Sequence, residues 1–360
     1  MKKIFAINLG STSTKVAYYE DDVCKIKDTI AIPAEETKAF SSVFDQSNMR
    51  KQMIVEYLDE QGIILDELDA FVSRGGQTEP IPGGVYRINE SMIEQAESGR
   101  FGVHVCSVGL RIALELIQGK KALALTVDTP VTDEFDPIAR FSGLKEIERV
   151  SCFQALNHKA MASHYAKSIG KDYSEMNLVV VMLGGGISVA AHKGGRMIDG
   201  PDALVGEGPF SNNRCGGVPI GPLVKLCYSG TYDLKGMMHH INGEAGLLSY
   251  LDTTDIRAIE ERIKEGDDYA KQVLEALCYQ TAKDIGAYAT VLKGKVDAIL
   301  LIGGMANSEF ITSNIAERVE FIAPVVILPG EREMESLCLN AFDALEGKTP
   351  IQEFVPQETA

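Results

Sequence analysis

The stretch NLGSTSTK, residues 8–15, sets four consecutive hydroxyl side chains between a glycine and a lysine, with apolar IFAI before it and VAYY after. Gly10 permits close backbone approach, the hydroxyls of Ser11 and Thr12 can donate to phosphate oxygens, and Lys15 supplies charge. Such a turn suits the end of a polyphosphate. An exposed polar hairpin would use the same residues, because serine and threonine are common in turns.

Two other glycine runs ask the same question. LGGG, Leu183 to Gly186, places three glycines at the end of an apolar strand, at roughly 0.5–1 kcal/mol each relative to alanine, so something approaches that backbone. Gly303 and Gly304 close the run VDAILLIGG. A helix expected from about Asn307 or Ser308 would bring its N-terminus to an anion there. Tight turns are the alternative at each place.

Asp128 follows the strand ALALTV, where a carboxylate lies on the rim that ligands use in α/β proteins; it could hold a metal, accept a proton, or cap a turn. Arg214, in the glycine-rich NNRCGG, could clamp a transferring phosphoryl group or decorate the surface. The histidines show no metal-ligand spacing. His104, in FGVHVCSVG, stands out by its glycine-flanked place ahead of a helix, and SRGG with PIPGGVYRINE forms a Gly/Pro-dense loop region suited to lining a small-substrate pocket.

These residues must be carried by strands and helices in alternation. Residues 2–8, 14–20 and 23–32 read as an antiparallel meander, and LVVVM, ISVAAHK and RMID repeat the plan between 178 and 199. LGSTSTKVAYYEDD aligns with LGGGISVAAHKGG as a faint internal repeat, which suggests two lobes of one design. Long helices follow: Thr254 is the expected cap of TDIRAIEERIKEG, and after Gly266 helical spacing runs through DDYAKQVLEALCYQTAKDIGAYATVLKG. Continuous apolar strands point to sheets covered on both faces. The class is α/β.

At 360 residues the chain exceeds one ordinary core, and two domains are expected. Its net charge of −16 opposes nucleic acid and anionic membrane, because counterion release needs clustered cations. Phosphates would have to be met by local donors, a few placed cations and a metal. Seven scattered cysteines, without a C-x-x-C pair, point to free thiols in a reducing compartment. MKKIFAIN lacks the apolar region and cleavage site of a signal peptide. A soluble, cytoplasmic protein is expected.

Taken together, INLGSTSTK, SRGG, PIPGGVYRINE, DEFDPIARFSG, ALNHKAMA, LGGGISVAAHKGGRMID, GEGPF, LVKLCYSGTY, VLKGKVDAILLIGGMA and IAPVVILPGEREME resemble the acetate and butyrate kinase family, within the actin, sugar kinase and Hsp70-like superfamily. The resemblance covers essentially the whole chain. It implies two duplicated RNase H-like (actin-like ATPase) domains with a nucleotide cleft between them: residues 1–152 plus about 335–360, and residues 153–334. It implies a kinase that exchanges ATP and a short-chain fatty acid such as butyrate for ADP and an acyl phosphate, with Mg2+, in a homo-oligomer, either a dimer or an assembly of dimers.

Carried over by position, the resemblance puts Asn8 and Glu333 at the metal. Lys15, Ser11 and Thr12 fall at the nucleotide phosphates, and Leu183, Gly184, Gly185, Gly186, Asp255, Ile256, Arg257, Gly303, Gly304 and Asn307 around ATP. Asp128 is the catalytic carboxylate, Arg214 the transition-state cation, His104 a phosphate-pocket residue and Arg74 the partner of the substrate carboxylate. Some positions depart from the family. Gln154 follows Phe153 where a histidine donor is usual, Met182 replaces a second histidine, Leu9 replaces proline or alanine, HVCSVG stands for HASNLG, and Arg332 stands where a carboxylate or amide is expected. Losing one transition-state donor costs roughly 2.7–4 kcal/mol by analogy with oxyanion holes. A catalytically weakened or inactive nucleotide-binding paralogue with a sensor or partner role, or a sugar or polyol kinase of the same superfold, are the competing readings.

Overall fold

Alternation along the opening strand decides the first layer. The structure, a computed structural model, describes residues 1–38, 40–204 and 206–356. In β1 (Lys3–Leu9), Phe5, Ile7 and Leu9 are buried with Ile54 and Leu58 of the helix Ser47–Glu60 and Leu110 of the helix Val108–Ile117. The intervening Ile4 and Ala6 pack with Met334, Leu337 and Ala341 of the helix Glu333–Leu345. Successive strand side chains point to opposite faces, and both faces here are covered, so the strand reads as one apolar run.

β1 pairs antiparallel with β2 (Ser13–Glu20), which pairs antiparallel with β3 (Val23–Ala31). On its other side β1 pairs parallel with β4 (Ala70–Ser73). Adding β5 (Val85–Arg87), β6 (Leu123–Val127) and the late strand Ile351–Glu353, here β12, the sheet runs β12-β5-β6-β4-β1-β2-β3.

A second sheet repeats the plan. β7 (Asn177–Leu183), β8 (Ile187–Lys193) and β9 (Arg196–Asp199) form the meander, and β10 (Ala298–Gly303) and β11 (Val325–Pro329) add in parallel, giving β11-β10-β7-β8-β9. Val179, Val181 and Leu183 are buried with Leu274 and Leu277 of the helix Asp268–Val291 and Ile311 and Ile315 of the helix Glu309–Val319. Leu178, Val180 and Met182 are buried with Met161, Ala162 and Ala166 of the helix Ala155–Ser168. Each meander slips register once, at Tyr18/Tyr19 and at Ala191/His192. The fold is a duplicated RNase H-like, actin-like ATPase design.

The chain divides into two units. One takes Met1–Thr132, Ala155–Ala160 and the chain from Arg332; the other takes Asp133–Gln154 and Met161–Glu331. Residues 133–154 thus group with the second sheet. Residues 357–360 of the expected C-terminal segment lie outside the described residues.

One helix start differs from expectation. The cap of the helix Ile256–Lys264 is Asp255, whose carboxylate accepts from Arg257 N at 3.0 Å, and not Thr254. Aspartate is the stronger of the two caps, and its register one residue later satisfies a first-turn donor. After β10, residues 304–307 form a 3-10 turn and Ser308 caps the helix Glu309–Val319. No described helix is long and apolar enough to cross a membrane.

Candidate active site

In the first unit the tip of the β1–β2 hairpin is closed by Gly10 N donating to Ser13 O at 2.8 Å. This register sets Asn8 directly opposite Lys15. Asn8 Nδ2 donates to Glu333 Oε2 at 2.9 Å, and Arg74 Nη2 lies 3.5 Å from Glu333 Oε1. Glu333 is 6% exposed and opens the helix Glu333–Leu345, where the helix dipole favours a carboxylate. Upstream, Arg332 N donates to Asn157 Oδ1 at 3.0 Å, fixing the entry to that helix.

His104 completes the group. It caps the turn Val105–Ser107, its Nδ1 accepting from Cys106 N at 3.2 Å. An acceptor at Nδ1 places the proton of the neutral ring on Nε2. Burial, and then the nearby Arg74 charge, hold the imidazole below its ordinary value, so it stays a neutral donor. Asn8, Arg74, His104 and Glu333, scattered in the chain, are thereby brought together.

Asp128 lies just past β6 with φ +39°, a conformation that non-glycine residues seldom adopt. It is 5% exposed. Its Oδ1 accepts from Gly84 N at 2.9 Å and faces Lys159 Nζ at 3.0 Å. Both contacts fall on one oxygen. On either side, the buried hydroxyls of Thr126 and Thr129 have no hydrogen-bond partner among the described residues. Buried hydroxyls normally have partners, so these two are unused hydrogen-bonding groups next to Asp128.

In the second unit the glycine runs meet. Gly303 has φ +92°, and a Cβ there would stand 2.5 Å from Leu183 O, so the two strand ends touch backbone to backbone. Gly184 N donates to Gly186 O at 3.1 Å, and Ser211 Oγ to Gly185 O at 3.1 Å. Arg214 lies across this turn: a Cβ on Gly186 would be 2.2 Å from its Nη1, and Nη1 donates to Ala203 O at 3.1 Å. Burial holds its guanidinium below the ordinary range. Met182 packs at the same junction, its sulfur 3.0 Å from the position of a Gly303 Cβ.

Asp255, Ile256 and Arg257 sit at a helix start joined to this region through Asn212 Nδ2, which donates to Thr254 O at 3.2 Å; the Arg257 side chain is 91% exposed. Asn307 Nδ2 donates back to Gly304 O at 2.9 Å. Gln154 is exposed at the N-cap of the helix Ala155–Ser168 and makes no side-chain cap bond.

Sequence reading missed Lys159, although it lies inside the quoted block ALNHKAMA. Its signal was a lysine set among buried helix positions. Ser211 and Asn212 had none beyond their neighbour Arg214. Among the described residues no group of three or more His, Cys, Asp or Glu side chains could hold a metal.

Comparison with known proteins gives a consistent picture. The Acetokinase family matches residues 146–327. Butyrate kinase 1 of Clostridium acetobutylicum is 44% identical over 354 residues, covering 98% of this chain and 100% of that protein. A probable butyrate kinase of Phocaeicola vulgatus is 45% identical, covering 99% and 100%. Among crystal structures, the acetate kinase of Porphyromonas gingivalis matches with a TM-score of 0.77 at 19% identity, covering 95% of this chain and 99% of that one. A propionate kinase from Francisella tularensis matches with 0.73 at 18%, covering 94% and 99%. At such identities the structures speak for the fold alone.

Proposed function

The chain belongs to the acetokinase family and is a carboxylate kinase, and we propose that its acceptor is a short linear or branched fatty acid such as butyrate, with ATP as donor and Mg2+ alongside. The full-length likeness to proteins named butyrate kinase carries this reading.

The acid is ionised at neutral pH, so its oxygen attacks the terminal phosphorus without losing a proton. An O–P bond forms as the bond from that phosphorus to the bridging oxygen of ADP breaks, and the reverse step regenerates ATP. Little covalent chemistry is left to the protein beyond positioning and charge neutralisation.

On this reading Arg74, which keeps donors to spare beside Glu333, takes the acid's carboxylate. His104 offers Nε2–H to a phosphate oxygen. Asp128, held at Oδ1 by Gly84 N and facing Lys159, presents its carboxylate to the transferring group. Arg214 and Gln154 stabilise charge on the transferring group. Ser11, Thr12 and Lys15 bind nucleotide phosphates, and residues 183–186, 255–257, Gly303, Gly304 and Asn307 bind the rest of ATP.

Asn8 and Glu333 are oxygen-bearing side chains suited to a hard cation. One buried carboxylate, with no larger acidic cluster among the described residues, fits an ion held mainly by phosphates and water. Mg2+ there would neutralise phosphate charge.

Two finer points belong to the same reading. A homo-oligomer is supported by the helix Ile220–Cys227, which buries none of its residues and leaves Ile220 76% exposed. A reducing, cytoplasmic setting is supported by cysteines that are free throughout.

A hydroxamate trap tests the proposal across acetate, propionate, butyrate and isobutyrate. Hydroxamate should form fastest with the four-carbon acids. ATP binding with no hydroxamate from any acid would sink it in favour of a nucleotide-binding paralogue, and ATP consumption with a sugar or polyol alone would favour the third reading.

A further inference from the structure

Arg50 is 1% exposed, inside the helix Ser47–Glu60, and every partner it has among the described residues is neutral. Its Nε donates to Gln46 Oε1 at 2.9 Å, Nη1 to Thr14 Oγ1 at 3.5 Å and Nη2 to Ser11 O at 3.3 Å. No carboxylate pairs with it among the described residues, and burial alone moves its guanidinium down from the ordinary value. A buried charge without a counterion is destabilising, and an apolar side chain of the same shape would serve the core as well or better.

What Arg50 does hold is the hydroxyl-rich turn, from behind. The trans peptide is planar, so turning the Ser11 carbonyl toward Arg50 turns the Thr12 N–H the opposite way. That N–H has no acceptor among the described residues, while the Thr12 carbonyl is taken by Ile32 N at 2.9 Å. Ser11 and Thr12 are exposed. The arrangement is a backbone donor aimed outward, polarised by a fixed cation behind it.

We infer that Arg50 is a positioning residue for anion binding at the turn, orienting the Ser11–Thr12 peptide and supplying the countercharge for a nucleotide phosphate. The inference rests on the reading of that turn as a phosphate site. It explains how a chain of net charge −16 holds a polyanion with one lysine on the turn. The missing anionic partner of Arg50 is the ligand.

The test titrates ATP, ADP and adenosine calorimetrically against wild type, Arg50→Met, Arg50→Lys and Lys15→Met, with melting curves and ATP kinetics for each. Arg50→Met should weaken ATP and ADP by about tenfold, the size expected of one charged partner, and leave adenosine unchanged. KM for ATP should rise with kcat held, and the melting temperature without ligand should stay or increase. Arg50→Lys keeps the charge but loses the planar fork, and should weaken ATP by about threefold. ATP affinity unchanged in Arg50→Met, with Lys15→Met weakened, overturns the inference and spares the phosphate reading. Unchanged affinity in both overturns the two together. Should Arg50→Met not fold, Arg50→Lys decides: ATP weakened with adenosine unchanged supports the role, and ATP affinity equal to wild type overturns it.

Discussion

Lys159 Nζ stands 3.0 Å from Asp128 Oδ1, and both side chains are largely withdrawn from water. The same oxygen takes Gly84 N–H, and the residue carries a strained backbone, so three constraints fix one carboxylate. Removing Lys159 leaves the Asp128 charge buried without its cation, at a cost of roughly 3 kcal/mol. Lys159→Met should therefore lose about that much in urea unfolding and drop kcat, while Asp128→Asn in the same background should restore part of the stability. Equal stability of Lys159→Met and wild type would count against the pair.

The two close glycines should part in their effects. At Gly186 a Cβ meets the far end of the flexible Arg214, 2.2 Å from Nη1, whereas at Gly303 it meets Leu183 O at 2.5 Å with φ at +92°. A side chain can yield and a buried strand end cannot. Gly186→Ala should thus melt near wild type yet lose kcat by an order of magnitude or more, because the guanidinium is displaced. Gly303→Ala should lose stability by at least about 1 kcal/mol. Melting curves beside the hydroxamate assay read both, and equal losses of stability would refute the contrast.

Much of this was legible because it is local. Strand, glycine turn and strand occur twice within short windows, and sheets covered on both faces write themselves as apolar runs such as LVVVM and AILLIG. Contacts that depend on tertiary register were not. Asn8 meets Glu333 only after the chain returns. Lys159 finds Asp128 through a helix start that spacing cannot aim, and the neutral surroundings of Arg50 have no signature in the helix pattern. The cap at Asp255 rather than Thr254 shows the same limit at one residue, since either side chain can satisfy a first-turn donor.

His158 gives a pH dependence with a definite sign. It is wholly buried, and burial pushes its imidazole down to about 3 from an ordinary 6.5. Below pH 6.5 the unfolded chain takes up a proton that the folded one refuses, so stability is fully present above that value and is lost as pH falls towards 3. One such group contributes a slope approaching about 1.4 kcal/mol per pH unit. Urea midpoints at descending pH should fall more steeply for wild type than for His158→Gln. Parallel slopes would show that other groups carry the acid sensitivity.

Gln154, where the resemblance implies a histidine, is the position best placed for a test by substitution. It is exposed at the start of the helix Ala155–Ser168, and no side-chain cap bond would be broken by replacing it. Gln154→His should accordingly leave the melting temperature unchanged. A helix N-terminus disfavours a positive ring, so the new imidazole would be mostly neutral at neutral pH and donate much as the glutamine does. The added charge would come only as it protonates. Turnover should therefore rise modestly near neutrality and more at pH 6, measured as kcat in the acyl phosphate direction at both values. A variant no faster than wild type at either pH would mean that the glutamine does not limit the chemistry.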